Sequence, residues 1–197
     1  MFNDHYGLNQ AVLSGWKTKT RRIIKSKNII ARHWNPAFNA DHCYYTDGRG
    51  KCQLIDTDTN KIIIPQFKVG EVVAIAQKYS EIGIEPFPFC EAGWSNKMFV
   101  RADLMPHRIR ITDIKVERLQ DISDEDCIKE GVGVSATDNR IGTPFGIPFN
   151  YYVGQDIKGC RYTTPREAYA TLIDRISGKG TWQSNPLVFA YEFEMVD

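Results

Sequence analysis

The stretch GWKTKTRR, Gly15 to Arg22, decides how the chain is read. Lys17, Lys19, Arg21 and Arg22 are interleaved with Thr18 and Thr20. Just upstream, Leu8, Val12 and Leu13 of LNQAVLSG share a helical face, and Gly15 is a natural helix stop. The basic stretch therefore leaves a helix end through a turn. On a regular strand, side chains alternate between faces, so Lys17 and Thr20 point opposite ways. Directly after a helix stop the backbone is not bound to that alternation, and the two can converge. Three readings stay open. The stretch is a solvated edge strand whose lysines discourage further pairing. Or it grips phosphate, for which the forked, always charged arginine head is suited. Or Lys17 and Thr20 do chemistry together, with burial and neighbouring cations lowering the lysine pKa.

Moving outward, KCQLID (51–56) and KIIIP (61–65) read as hairpin arms around TDTNK. In FKVGEVVAIAQKY a turn at 69–71 leads into a buried strand, Val72 to Ala76. KMFVRADL (97–104) and HRIRITDIKVERL (107–119) read as two paired strands. In the second, the even apolar spacing breaks at Asp113, which predicts a bulge. ISDEDCIKEG is a short helix with Ser123 as N-cap, Asp126 in the capping-box position and Gly131 as stop. TTPREAYATLIDRISGKG is a longer helix. Thr164 caps it, Pro165 takes its first position, Glu167 closes the box, and Ala168, Tyr169, Leu172, Ile173 and Ile176 form its core stripe. LVFAYEFEMV closes the chain as a strand with one dry face, carrying Phe189, Tyr191, Phe193 and Met195. Strands separated by uneven loops, with only short helices, predict an α+β fold built as a small barrel rather than repeated βαβ units. No glycine-rich phosphate loop follows the first strand, which argues against a Rossmann or P-loop enzyme.

The length of 197 residues suits one domain, 1–197. The net charge is only +1, so any basic surface is local rather than global. No run approaches ~20 apolar residues, so no membrane span is expected. The first residues lack a signal-peptide pattern, and the expected compartment is the cytoplasm. The cysteines at 43, 52, 90, 127 and 160 form no C-x-x-C pair. His42 and Cys43 with Cys52 lack a second ligand pair at zinc-like spacing, so neither a metal nor a cofactor is expected.

These segments together resemble a known family. Gly15-x-Lys17-x-x-Thr20-x-Arg22 is similar to the G-x-K-x-x-T-x-R signature of ASCH domains. VGEVVAI (69–75), ITDIKVERLQDISDEDCIKEG (111–131) and VFAYEFE (188–194) follow in the family's order. The resemblance implies a PUA-like β-barrel with short flanking helices. Its core segments would be about 8–25, 67–78, 97–131 and 163–196, with long insertions at 26–66, 79–96 and 132–162. It implies a cleft beside the first helix and RNA or a nucleoside as partner. Some small members of the family hydrolyse N4-acetylcytidine with a lysine, a threonine and a glutamate. Carried over, that set is Lys17 as base, Thr20 as nucleophile and Glu130 as proton shuttle or orienter. A ribonuclease using Lys17 and Glu130, and a non-catalytic adaptor for RNA or protein, are the alternatives.

The residues differ in what they add. Glu130 would stand at the negative end of a helix dipole, at a cost of ~0.3–1 kcal/mol, where local physics prefers a cation. It serves a site or is simply solvated. Gly15 turns the chain into the cleft, Lys19 and Arg21 read as charge on its other side or rim, and Arg22 as the phosphate or carboxylate clamp. In GWSNKMFVR (93–101), Trp94, Asn96, Lys97 and Arg101 combine a stacking ring, an amide and two cations, as a nucleotide pocket requires. The competing reading is a loop whose tryptophan plugs the barrel end. Tyr151, Tyr152 and Trp182 carry weaker versions of the same signal.

Overall fold

Helix punctuation and period-two alternation set the elements. A computed structural model describes residues 2, 5–26, 28–33, 44–46, 50–85, 92–134, 151–153 and 162–196, with backbone alone at 33, 44–46, 50 and 51. In chain order, α1 (Leu8–Leu13) precedes β1 (Lys19–Ile23), β2 (Ile29–His33), β3 (Tyr44–Thr46), β4 (Gly50–Asp56), β5 (Lys61–Ile62) and β6 (Val72–Ala74). Then come β7 (Arg108–Arg118), α2 (Asp124–Lys129), β8 (Val132–Val134), β9 (Tyr151–Val153), α3 (Pro165–Ser177), α4 (Thr181–Ser184) and β10 (Leu187–Met195).

The caps read from sequence stop and start the helices. Ser123 Oγ accepts from Asp126 N in α2, and Thr164 Oγ1 accepts from Glu167 N in α3, with Pro165 in the first turn. The chain passes Gly15 and Gly131 at φ +73° and +103°, conformations that cost an L side chain steric strain. At Gly131 a Cβ would also lie 2.7 Å from Leu8 Cδ2, so glycine lets α1 approach the end of α2.

One sheet runs β1-β10-β7-β3-β4-β2, with β5 on β4 and β6 on β7. It curls into a half-barrel, giving an α+β barrel-like fold. β10 lies along β7, while the other edge of β7 is divided: β6 pairs with Arg108–Arg110 and β3 with Lys115–Val116. The bulge expected at Asp113 is present. Asp113 pairs with Glu192 and Ile111 with Phe193, so Thr112 is skipped. That extra residue keeps Ile109, Ile111, Ile114 and Val116 on one face, where they join Phe189, Tyr191 and Phe193 in the core inside the curl. On the opposite face Val188 and Leu119 pack with Tyr169, Leu172 and Ile173 of α3.

Three expectations are corrected. KMFVRADL forms no strand: Phe99 takes φ +63°, Ala102–Leu104 is a 3-10 turn, and β6 holds the β7 edge this segment would need. The strand expected from Val72 to Ala76 pairs only through Ala74. Part of the expected insertion 26–66 belongs to the sheet, and Cys52 and Leu54 of β4 are fully buried in the core inside the curl. Residues 34–43, 86–91, 135–150 and 154–161, with Cys43, Cys90 and Cys160, lie outside the described residues. Among those described, no helix is long and apolar enough to cross a membrane.

If β4 is core rather than insertion, truncating Leu54 has a core cost. Leu54→Ala should lower unfolding stability by ~2–5 kcal/mol in urea titration. A change near zero would place 50–56 outside the cooperative unit.

Candidate functional site

The site begins where α1 ends. Trp16 N and Lys17 N both donate to the Ala11 carbonyl, at 2.9 and 2.8 Å. Thr18 N then donates to Lys129 O in the last turn of α2, and Thr18 O accepts from Phe193 N. The motif is thus laced between two helix C-termini and the closing strand before β1 becomes regular.

Lys17 is 2% exposed, and its ammonium has three acceptors: Lys19 O at 2.6 Å, Glu130 O at 2.7 Å and Glu130 Oε2 at 2.8 Å. An ammonium has three donors, so all are used. Burial lowers the Lys17 pKa, and the Glu130 carboxylate opposes that fall. The Phe2 ring lies 5.8 Å from Nζ and covers it. The unfavourable position of Glu130 has its explanation here. It is the C-cap of α2, and the Lys17 ammonium supplies the cation and the carbonyl donor that this helix end lacks.

Arg21 is not rim charge; its side chain is buried and bridges three carboxylates. Its Nε donates to Glu117 Oε1 at 2.6 Å, Nη1 to Glu130 Oε1 at 3.0 Å and Nη2 to Asp126 Oδ2 at 3.0 Å. Burial works against the guanidinium's charge, but Glu130 and Glu117 outweigh it and raise the pKa. Lys19 lies 2.9 Å from Asp126 Oδ1 and 3.6 Å from Glu192 Oε2. Asp126, expected to close a capping box, instead spends its carboxylate on Lys19 and Arg21.

Alternation along β1 then separates two chemistries. Lys19 and Arg21 face the carboxylates, while Thr20 and Arg22 face the other way. Thr20 pairs with Tyr191 and Arg22 with Phe189, both part of the core inside the curl. A cavity of about 640 Å³ opens between β1 and α3. Lys17, Thr20, Arg21, Arg22 and Glu130 all line it, so it takes in both faces of β1; Lys25, Gln66 and Tyr169 line it too, while Ile23, Leu172, Ile173 and Ile176 form an apolar wall. Ile176, expected in the core stripe, is partly exposed and faces this cavity. Burial, with the negative charge of Glu130 added, holds the Tyr169 phenol well above its ordinary 10.0, so it is a neutral hydroxyl.

The second expected group is elsewhere. None of Trp94, Asn96, Lys97 and Arg101 lines the cavity. Trp94 Nε1 donates to Ile84 O, Asn96 Oδ1 accepts from Met98 N, and Arg101 pairs with Asp103 at 2.6 Å. Lys97 is buried. These side chains fold a loop over Tyr79, whose hydroxyl accepts from Arg101 N and whose ring a Cβ at Gly93 would strike. Sequence reading missed Glu117, Gln66 and Tyr169, because their distance from the motif along the chain carries no spacing signal. Gly15 serves the turn and does not line the cavity.

Removing Arg21 would leave buried carboxylates without their shared cation, so Arg21→Ala should cost ~3–5 kcal/mol in chemical denaturation. A second outcome concerns acid. Burial pushes the Asp126 carboxyl up, but the hydrogen bonds from Lys19 and Arg21 outweigh it and hold the group below its ordinary 3.8. A depressed carboxylate contributes stability that is complete above its unfolded pKa and lost as pH falls through its lower folded value. Asp126→Asn should therefore flatten the acid limb of a stability–pH profile below about pH 4; an unchanged limb would show that Asp126 gains nothing from its cations. Comparison with protein-family models, with curated proteins and with solved structures gives no match to this chain.

Proposed function

We propose that the chain is an ASCH-like domain that recognises a nucleoside or nucleotide unit of RNA in the cavity between β1 and α3. The observation that carries this reading is the shared cavity. Lys17, Thr20, Arg22 and Glu130 of the motif set meet there with the amide of Gln66 and an apolar wall from α3. At about 640 Å³ the space is within the ~300–1,000 Å³ typical of small-ligand pockets. Arg22 and Lys25 supply positive charge for a phosphate, Gln66 and Tyr169 supply polar groups for a base, and Leu172, Ile173 and Ile176 supply a surface for its ring.

Within this reading Lys17 is a positioning residue. It fixes Glu130 and the turn into β1, since every ammonium hydrogen is already donated. Hydrolysis of an N-acylated base is the second reading, favoured by Thr20 sharing the cavity with the Lys17–Glu130 pair. The Thr20 hydroxyl would attack the acyl carbon, the base amine would leave with a proton, and water would then release the acid from the threonyl ester. The base that takes the threonine proton would have to be Lys17 after losing one of its own, which needs a rearrangement of its three hydrogen bonds.

Calorimetry with cytidine 5′-monophosphate should show binding that weakens with salt. Arg22→Ala should lower affinity by roughly tenfold, the scale of a lost charge-assisted contact. Salt-independent binding unaffected by Arg22→Ala would remove the phosphate role. For the second reading, turnover of N4-acetylcytidine followed by ultraviolet absorption, abolished in Thr20→Val, would establish hydrolysis; no turnover at high protein concentration would reject it.

A further inference from the structure

The cavity has a wall that the proposed function does not use: the outer backbone edge of β1. β1 ends the sheet, and among the described residues its only strand partner is β10. The register fixes which peptide groups face outward. Thr18 O accepts from Phe193 N and Ile24 N donates to Leu187 O, so Thr20 and Arg22, which lie between them in phase, turn their peptide groups toward β10. Hydrogen-bonded pairs recur at every second residue, so Lys19, Arg21 and Ile23 turn theirs away from it. The Lys19 carbonyl agrees with this, because it accepts from the Lys17 ammonium, itself part of the cavity lining. Past that bond stand the N–H and C=O groups of Arg21 and Ile23, which have no backbone partner among the described residues. Thr20 and Arg22 from one face of β1, with Arg21 and Ile23 from the other, line the same cavity. A space that meets both faces of a strand lies along its edge.

Across from that edge runs α3. Its cavity-lining stretch, Tyr169 to Ile176, is two turns of helix, about 10 Å, the length of about three strand residues. Leu172 and Ile173 pack with Val188 and Ile23, so α3 lies on the Ile23 side of β1. Ile176 continues their stripe and is 38% exposed. Arg22 stands on the other side, and Lys25 follows the end of the strand. The carboxylate in the lining, Glu130, is spent on Lys17 and Arg21, so the charge that Arg22 and Lys25 bring is positive. A chain laid against β1 would alternate between these surroundings, hydrocarbon on one side and positive charge on the other. A strand edge beside an apolar groove is a template for strand addition, in which main-chain bonds hold the guest and alternate side chains select it.

We infer that the groove between β1 and α3 binds an extended acidic peptide segment of a partner protein, added to β1 as an antiparallel strand. Two apolar residues of the peptide lie opposite Arg21 and Ile23, exchange main-chain hydrogen bonds with them and point toward Leu172, Ile173 and Ile176. The residue between them is acidic and lies opposite Arg22, on the charged side. The inference does not rest on the nucleoside reading. The two ligands share one cavity, so each excludes the other.

Calorimetry tests this with a blocked pentapeptide of threonine, valine, glutamate, valine and threonine. The peptide should bind, and glutamine in place of its glutamate should weaken binding roughly tenfold, the scale of a lost charge-assisted contact. Arg22→Ala should remove that difference between the two peptides. N-methylation of both valines should weaken binding roughly tenfold or more, because it deletes the bonds to β1. N-methylation of the glutamate, whose N–H points away from β1, should leave affinity unchanged. Ile176→Glu changes a partly exposed residue of the apolar wall and should keep the fold while losing the peptide. No binding of the pentapeptide overturns the inference, and so does binding that tolerates methylation of both valines. Binding retained in a folded Ile176→Glu protein overturns it as well; if that variant does not fold, the methylated peptides decide alone. Binding of cytidine 5′-monophosphate without the peptide removes this inference and leaves the nucleoside reading standing, and binding of the peptide alone does the reverse. Where both bind, they should compete; simultaneous binding overturns the shared site.

Discussion

A lysine ammonium that cannot reach water must find three acceptors, and much of this structure follows from how Lys17 finds them. Two come from Glu130 and one from the backbone of Lys19. To deliver them, α2 must end beside α1, Gly131 must let the helices approach, and the chain after Lys17 must turn back toward its own ammonium. Arg21 repeats the logic one turn of alternation later, gathering Glu117 from β7 with Asp126 and Glu130 from the α2 end. The attraction within such a network is largely offset by the cost of taking its charges out of water. What it contributes is selection: only one placement of α2 against β1 and β7 satisfies every member.

That selection also positions the cavity. Lys19 and Arg21 are committed to carboxylates on one face of β1, Thr20 and Arg22 are delivered to the other, and Arg21, Thr20 and Arg22 all border the cavity at this edge of the sheet. The polar network is thus the scaffold and the cavity its by-product. The same side chains that look most reactive in the sequence, the basic residues 17, 19 and 21, are largely occupied with holding the strand in place.

The sequence made local features legible. Helix limits at Gly15, Ser123, Gly131, Thr164 and Pro165 follow from capping chemistry, and the β7 bulge follows from a broken alternation at Asp113. The motif residues Lys17 and Thr20, with Glu130, all line one cavity. What was not legible depends on partners far along the chain. Arg21 reads as charge on the other side or rim of the cleft, and its burial is not legible until Glu117, 96 residues away, is seen against it. Cys52 and Leu54 read as part of a hairpin arm, and β4 does pair with β5, but only its further pairing with β2 and β3 makes them core. Trp94, Asn96, Lys97 and Arg101 have the composition of a nucleotide site, but composition does not say that hydrogen bonds and pairs within the loop already occupy most of them.

The sorting of β1 by parity has a consequence for how this stretch can vary. Substitutions at single positions disturb one partner each. A one-residue insertion or deletion between Lys17 and Ile23 does something different in kind: it moves every following side chain to the opposite face. Arg21 would be driven into hydrocarbon and Arg22 or Thr20 set before three carboxylates, with the pairing to β10 left formally intact. Point changes and frame changes therefore act on separate levels here, and the spacing of GWKTKTRR is held more rigidly than the identity of any one of its residues.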